Sequence, residues 1–232
     1  MIEIKNISYK YEDKPILKDI RLDIREGEFI AIIGHNGSGK TTLIKHLNGL
    51  LIPTKGRVTV DDLDTKTNSW EIKQKVGIVF QNPDDQLINS IAEEDIAFGL
   101  ENLGVPSVVI QQKVKDILNK VNISHLAKEN VNNLSFGQKQ LVALAGVLVM
   151  KPKYIIFDEP TTMLDPKNKA NIMKMMDGLN KEGITIILVT NNLNDIEKCV
   201  KKVIILKRGK IIFNDKKEKL TREMLKRAEM HG

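Results

Sequence analysis

The sequence predicts an α/β domain with a mostly parallel sheet, built around a phosphate-binding loop. Three observations point there. Gly34-His35-Asn36-Gly37-Ser38-Gly39-Lys40-Thr41 fits G-x-x-x-x-G-K-[ST]. An apolar run, Phe29 to Ile33, leads into it as a buried strand, and Leu43, Ile44 and Leu47 lead out at helical spacing. Further apolar runs at 76–80, 154–157 and 185–190 alternate with helical stretches, the pattern of parallel strands joined by helices.

From the N-terminus, Ile2, Ile4 and Ile7 face one way on a strand over 2–9. A polar turn at Glu12–Pro15 precedes a second alternating strand with Leu17, Ile20, Leu22 and Ile24. A turn at Pro53–Gly56 and a strand Arg57–Val60 follow the first helix. These strands predict an antiparallel β subdomain beside the nucleotide core. Val76–Phe80 is a buried strand that runs into Gln81-Asn82-Pro83. From about 87 to 150 the pattern turns helical, with helices over 91–102, 107–120 and 137–150. Gly104-Val105-Pro106 and Asn132-Asn133 break it. This block interrupts the alternation and is expected as an inserted helical subdomain. Tyr154–Phe157 is the next strand, closed by Asp158-Glu159-Pro160, and helix 166–180 starts on Pro166. Gly183 leads into strand Thr185–Thr190. Runs 203–206 and 211–213 around Arg208-Gly209 predict a hairpin. The tail, about 215–232, is charged and expected to be helical. A single domain over 1–232 accommodates all of this.

Composition narrows the class. Hydrophobic residues at 41% and charged residues at 28% are ordinary for a globular protein. No apolar run approaches the roughly 20 residues that span a bilayer. The first residues lack the apolar core of a signal peptide. Cys199 stands alone, which excludes a disulfide framework and fits a reducing cytosol. His35, His46, His125 and His231 form no metal-ligand spacing. The net charge of +6 reads as a solvated, Lys-rich surface, because no aromatic–basic interleaving accompanies it. No nucleic-acid partner is expected.

The motif residues carry specific chemistry. Gly34, Gly37 and Gly39, with Asn36, Ser38 and Thr42, let the backbone curl so that N–H groups and a helix start face an anion. Lys40 is expected on the β- and γ-phosphates and the Thr41 hydroxyl on Mg²⁺. Asp158, delivered by a strand end, suits Mg²⁺ as well. Glu159, one residue on, is placed to polarise a water aimed at the γ-phosphate. Ser135, as a helix N-cap with Gly137 and Gln138 behind it, makes a second anion site. One phosphate loop does not need that second site for its own nucleotide, so it makes sense against the nucleotide of a partner.

In this order the motifs resemble those of the ATP-binding cassette (ABC) ATPases across essentially the whole chain. The carriers are the loop at 34–41, Gln81, the signature Leu134-Ser135-Phe136-Gly137-Gln138, the acidic strand Tyr154–Glu159, and Met163-Leu164-Asp165. Gln81–Gln86, Glu94–Gly99 and Gly146-Val147-Leu148 are similar, more narrowly, to the ATPase subunits of energy-coupling-factor importers. The resemblance implies a P-loop NTPase core that binds and hydrolyses ATP with Mg²⁺. It implies work at the cytoplasmic face of the membrane, powering import of a vitamin or transition-metal ion through integral membrane subunits. A second ABC ATPase subunit, identical or not, would pair with it head to tail. Gln81 would contact Mg²⁺ or the attacking water, Asp165 would lie at the dimer seam, and Tyr11 would stack on adenine, with Tyr9 on the same strand face as the alternative.

Three residues depart from that pattern. Asn191 fills a slot that usually holds a histidine, Phe136 stands for the first signature glycine, and Leu141 for an arginine. The alternatives are a non-catalytic or slow subunit of a heterodimer, and a soluble ABC protein acting on nucleic acid or ribosomes. Against the resemblance, the sequence is also expected to end before the C-terminal helical region many such ATPases carry, which would leave a C-terminal dimer contact without support.

Overall fold

A computed structural model describes residues 1–196 and 199–230. His231, one of the four histidines, lies outside the described residues.

Two sheets stack. The first is antiparallel, built from β1 (Ile2–Tyr11), β2 (Lys14–Ile24), β4 (Lys55–Val60) and β5 (Leu63–Asp64), in the order β2-β1-β4-β5. The second holds β3 (Phe29–Ile33), β6 (Val76–Val79), β7 (Tyr154–Asp158), β8 (Thr185–Thr190), β9 (Lys202–Lys207) and β10 (Lys210–Lys216), in the order β10-β9-β3-β8-β7-β6. Its pairings are parallel except for the β9–β10 hairpin at one edge. The helices are α1 (Lys40–Leu47), α2 (Ser69–Lys75), α3 (Ala92–Asn102), α4 (Ser107–Lys120), α5 (Phe136–Leu148), α6 (Pro166–Lys181) and α7 (Arg222–Arg227). The α/β class and the mostly parallel sheet expected from the sequence are the ones found.

Strand alternation divides the core. Phe29, Ala31 and Ile33 point to the face covered by α3, α4, α5 and α6, while Ile30 and Ile32 point to the antiparallel sheet and α1. Tyr154 and Ile156 likewise take one face, Ile155 and Phe157 the other. A central strand buried on both sides reads as an unbroken apolar run, which is why these strands are legible. Strands β1 and β2 instead have one solvated face and alternate, with Leu17, Ile20, Leu22 and Ile24 all buried. Their alternation slips once. Asn6 and Asp19 both adopt positive φ, and Asn6 Nδ2 donates to Asp19 Oδ1 at 2.7 Å across a register shift.

Two elements were not expected: the two-residue β5, and α2, whose Ile72 is its one buried residue. The tail is less helical than expected. β10 runs to Lys216, and α7 is only six residues long.

Candidate nucleotide site

The carboxyl ends of β3, β8, β7 and β6 share one edge of the parallel sheet. Ile33 pairs with Thr190, Val189 with Asp158, and Phe157 with Val79. Gly34, Asn191, Glu159 and Gln81 therefore leave the sheet side by side. Ligands of open α/β sheets bind at such an edge.

At Gly34 the phosphate loop passes close to the β9 backbone. A Cβ there would lie 2.3 Å from the Leu206 carbonyl oxygen, so only glycine fits. Gly37 and Gly39 adopt positive φ, and α1 begins at Lys40. The Lys40 side chain curls back under the loop. Its Nζ donates to the carbonyl oxygens of Gly34 at 2.9 Å and His35 at 3.3 Å, and lies 3.5 Å from Glu159 Oε1. Burial lowers the Lys40 pKa, and the Glu159 and Asp158 carboxylates oppose that shift.

Thr41 Oγ1 donates to Asp158 Oδ2 at 3.0 Å. The other oxygen, Asp158 Oδ1, is buried without a hydrogen-bond partner among the described residues, and so is Ser38 Oγ. Burial pushes the Asp158 carboxyl up, against the Thr41 hydrogen bond. Two orphaned oxygens beside a buried ammonium are costly unless a ligand satisfies them. A hard divalent cation and a phosphate fit this donor set. No group of three or more His, Cys, Asp or Glu among the described residues would cage a metal alone. A cation here would draw its remaining ligands from phosphate and water.

Glu159 holds φ 48°, a conformation that costs a side chain about 1–2 kcal/mol. Its neighbours hold it there. The Glu159 N–H donates to Val189 O at 2.8 Å, and Gln140 Nε2 of α5 donates to Pro160 O at 2.6 Å. Across the cleft, Asn191 Nδ2 donates to Asn36 Oδ1 at 3.0 Å, so the loop after β8 touches the phosphate loop directly. Thr42 lies in the first turn of α1, its carbonyl oxygen 2.7 Å from His46 Nδ1.

Gln81 is exposed, one residue beyond Phe80 at the end of β6. The loop after it is tied to α5. Phe80 N–H donates to Gln86 Oε1 at 3.1 Å, Gln86 Nε2 donates to Ala143 O at 3.3 Å, and Lys139 pairs with Asp84 at 2.6 Å.

Ser135 caps α5 in a capping box: Gln138 N–H donates to Ser135 Oγ at 3.4 Å, and Ser135 N–H donates to Gln138 Oε1 at 2.8 Å. At this helix start Gly137 lies near Leu164 and Asn168, and one turn on Gln140 reaches Pro160. Asp165 caps α6, accepting from Lys167 N–H at 2.9 Å and Asn168 N–H at 3.1 Å. Those hydrogen bonds keep its carboxyl below the usual range. Leu141, the unexplained departure, packs against the core.

Tyr9 and Tyr11 meet edge to face at 4.9 Å between ring centroids, and Tyr9 also meets His46 at 4.8 Å. Tyr9 is half-buried, whereas Tyr11 is 46% exposed. Tyr9 pairs with Leu17, whose side chain would touch a Cβ at Gly39, and Tyr9 packs on His46, so the strand that bears both tyrosines runs beside α1.

Sequence reasoning missed His46, the Asn36–Asn191 contact, and Asp195, which accepts from Thr161 and Thr190 behind the site. The apolar position of His46 within α1 was the one available signal, since helix residues 43, 44, 46 and 47 all turn inward.

Comparison with known proteins gives the family. The ABC transporter family matches residues 17–162. The energy-coupling factor transporter ATP-binding protein EcfA1 of Clostridium novyi is 46% identical over 221 residues, covering 92% of this chain and 79% of its own. The cobalt import ATP-binding protein CbiO of Syntrophus aciditrophicus is 44% identical over 222 residues, covering 94% and 79%. Among solved structures, cbiO1 from Clostridium perfringens, described as part of the ABC transporter complex cbiONQ, superposes with a TM-score of 0.84 at 36% identity, covering 97% of this chain and 94% of that one. The dimeric ATP-binding cassette MJ0796, bound to ADP and Pi, gives 0.82 at 31%, covering 93% and 98%.

Proposed function

This chain belongs to the ABC transporter family, and we propose that it is the ATP-binding, ATP-hydrolysing subunit of an energy-coupling-factor importer for a vitamin or transition-metal ion. The observation that carries the reading is Asp158 at the Thr41 hydroxyl, with its second oxygen buried and unsatisfied. Glu159 and Lys40 stand on the same sheet edge.

In the proposed mechanism the chain is one cassette, 1–232, with residues 87–150 as its helical subdomain. The phosphate-loop N–H groups and Lys40 hold the β- and γ-phosphates of ATP. To do so Lys40 Nζ gives up the carbonyl oxygens it now contacts. Thr41, Asp158 and Gln81 would hold Mg²⁺, which neutralises charge developing on the phosphoryl oxygens. Glu159 accepts a proton from the water that attacks the γ-phosphorus, and the bond to the bridging oxygen breaks to leave ADP. Asn191 donates toward the γ-phosphate, and Tyr11, the more exposed ring, stacks on adenine. Among the described residues Ser135 and Gln138 hydrogen-bond each other, and Gly137 lies against Leu164 and Asn168. Ser135, Gly137 and Gln138 would close on the ATP of a second ABC ATPase subunit arranged head to tail.

Transport requires a membrane partner, because no described helix is long and apolar enough to cross a bilayer. A groove of about 270 Å³ lined by Leu50, Phe80, Gln86, Val147 and Met150 flanks Gln81. A helix of the integral membrane subunit seated there would feel the state of the nucleotide through Gln81. The chain would then sit peripherally at the cytoplasmic face. The test is purification from detergent-solubilised membranes after expression in its native setting. Recovery with a hydrophobic subunit and a second cassette is expected. Recovery only with nucleic acid would contradict the assignment.

A further inference from the structure

Asp195 lies just past β8, is 1% exposed, and touches no residue placed on the nucleotide. A buried carboxylate needs partners, and this one has three, from three segments. Its Oδ2 accepts from Thr161 Oγ1 at 2.7 Å and from Thr190 Oγ1 at 2.7 Å. Its Oδ1 forms an ion pair with Lys169 of α6. Thr161 lies two residues after Glu159, and Thr190 lies one residue before Asn191. Lys169 sits one turn into the helix that Asp165 caps.

This arrangement answers a question posed by Glu159. Its left-handed backbone is held from the β8 side by Val189 and from α5 through Pro160. On its downstream side Thr162 Oγ1 lies 3.5 Å from Glu159 Oε2, and the preceding Thr161 is anchored by Asp195. The same oxygen anchors Thr190, the residue before Asn191, whose amide reaches Asn36. One atom thus sets the spacing between the loop bearing the proposed base and the loop bearing the proposed γ-phosphate donor. Lys169 extends that tie to the helix at the proposed dimer seam.

We infer that Asp195 is a positioning residue for ATP hydrolysis, a knot that keeps Glu159 and Asn191 in register with each other and with α6. The inference rests on the reading of Glu159 and Asn191 given above. A small misplacement of the water-activating group costs turnover and not nucleotide affinity.

The experiment compares the parent, Asp195→Asn, Thr161→Val and Thr190→Val in the assembled transporter. ATP turnover and equilibrium binding of a fluorescent ATP analogue are measured, with amide hydrogen exchange on the same samples. For Asp195→Asn, kcat is expected to fall at least about tenfold while analogue affinity stays within about twofold. Exchange should rise at 159–162 and 190–192 but not at 34–41. Each Thr→Val variant keeps the Lys169 ion pair and should show the same pattern more weakly, which covers a failure of Asp195→Asn to fold. Parental kcat in both threonine variants, or exchange that rises equally at 34–41, would overturn the inference. Exchange separates this from a failure of the functional reading: a parent whose turnover ignores Glu159→Gln refutes that reading, while the exchange pattern still decides whether Asp195 ties the two loops.

Discussion

At Asn191 an amide stands where the family usually carries an imidazole. The amide donates one hydrogen bond, here to Asn36, but cannot take the positive charge that an imidazole could bring to the γ-phosphate of the proposed mechanism. Loss of one donor at developing charge costs about 10²–10³ in rate in comparable sites. Asn191→His is therefore expected to raise the single-turnover hydrolysis rate by about tenfold or more; a rate no faster than the parent's would show that Asn191 already does this work. His46 carries a second residue-level consequence. It is fully buried, with Nδ1 2.7 Å from Thr42 O, Nε2 unpartnered among the described residues, and Tyr9 packed edge-on. Burial holds its pKa below the ordinary 6.5, against the Thr42 hydrogen bond. The unfolded chain then binds a proton that the folded chain refuses, so this contribution to stability is full above pH 6.5 and is lost as pH falls from there toward the folded value. Urea midpoints at pH 7.5 and 5.5 should differ less in His46→Gln than in the parent. Equal differences would remove His46 from the account.

Among the elements, what the sequence displayed was whatever repeats. β3, β7 and β8 are wholly buried and stand out as apolar runs, and α3 and α4 keep a helical stripe facing the core. β5 and α2 had no such signal, because two residues cannot show a period and α2 buries Ile72 while exposing Trp70. The slip in β2 hid for a related reason: Leu17 and Ile20 are three apart, and Asp19 absorbs the extra residue in a left-handed conformation. Arg208-Gly209 was legible as a turn, but not as the point where the hairpin meets β2. There the Gly209 carbonyl oxygen accepts from Lys18 N–H at 2.8 Å, and a Cβ would lie 1.9 Å from Ile16 O at φ +76°. Gly209→Ala should destabilise the protein by at least about 1–2 kcal/mol in urea unfolding, from the backbone strain alone. A change under about 0.5 kcal/mol would mean the two sheets are not joined at this point.

For the whole molecule, the local motifs were readable and the ties between them were not. Residues 34–41 and 158–159 announce themselves by spacing along the chain. Asp195 with Thr161, Gln86 with Ala143, and Asn36 with Asn191 join residues that only the fold brings together. With Gln140 on Pro160, those ties connect the phosphate loop, the acidic strand and α5, and in the proposed mechanism they link a nucleotide at the sheet edge to the groove beside Gln81. In the proposed assembly Ser135 closes on the nucleotide of a second cassette, and the chain carries half of each site. In the proposed mechanism hydrolysis takes place at Glu159 within such an assembly. The direct measurement is steady-state ATP hydrolysis by the membrane-reconstituted transporter, with the parent chain and with Glu159→Gln, at matched ATP binding. Turnover that falls by about 10³ or more in Glu159→Gln, with ATP still bound, is the predicted result. Equal turnover in the two would contradict it.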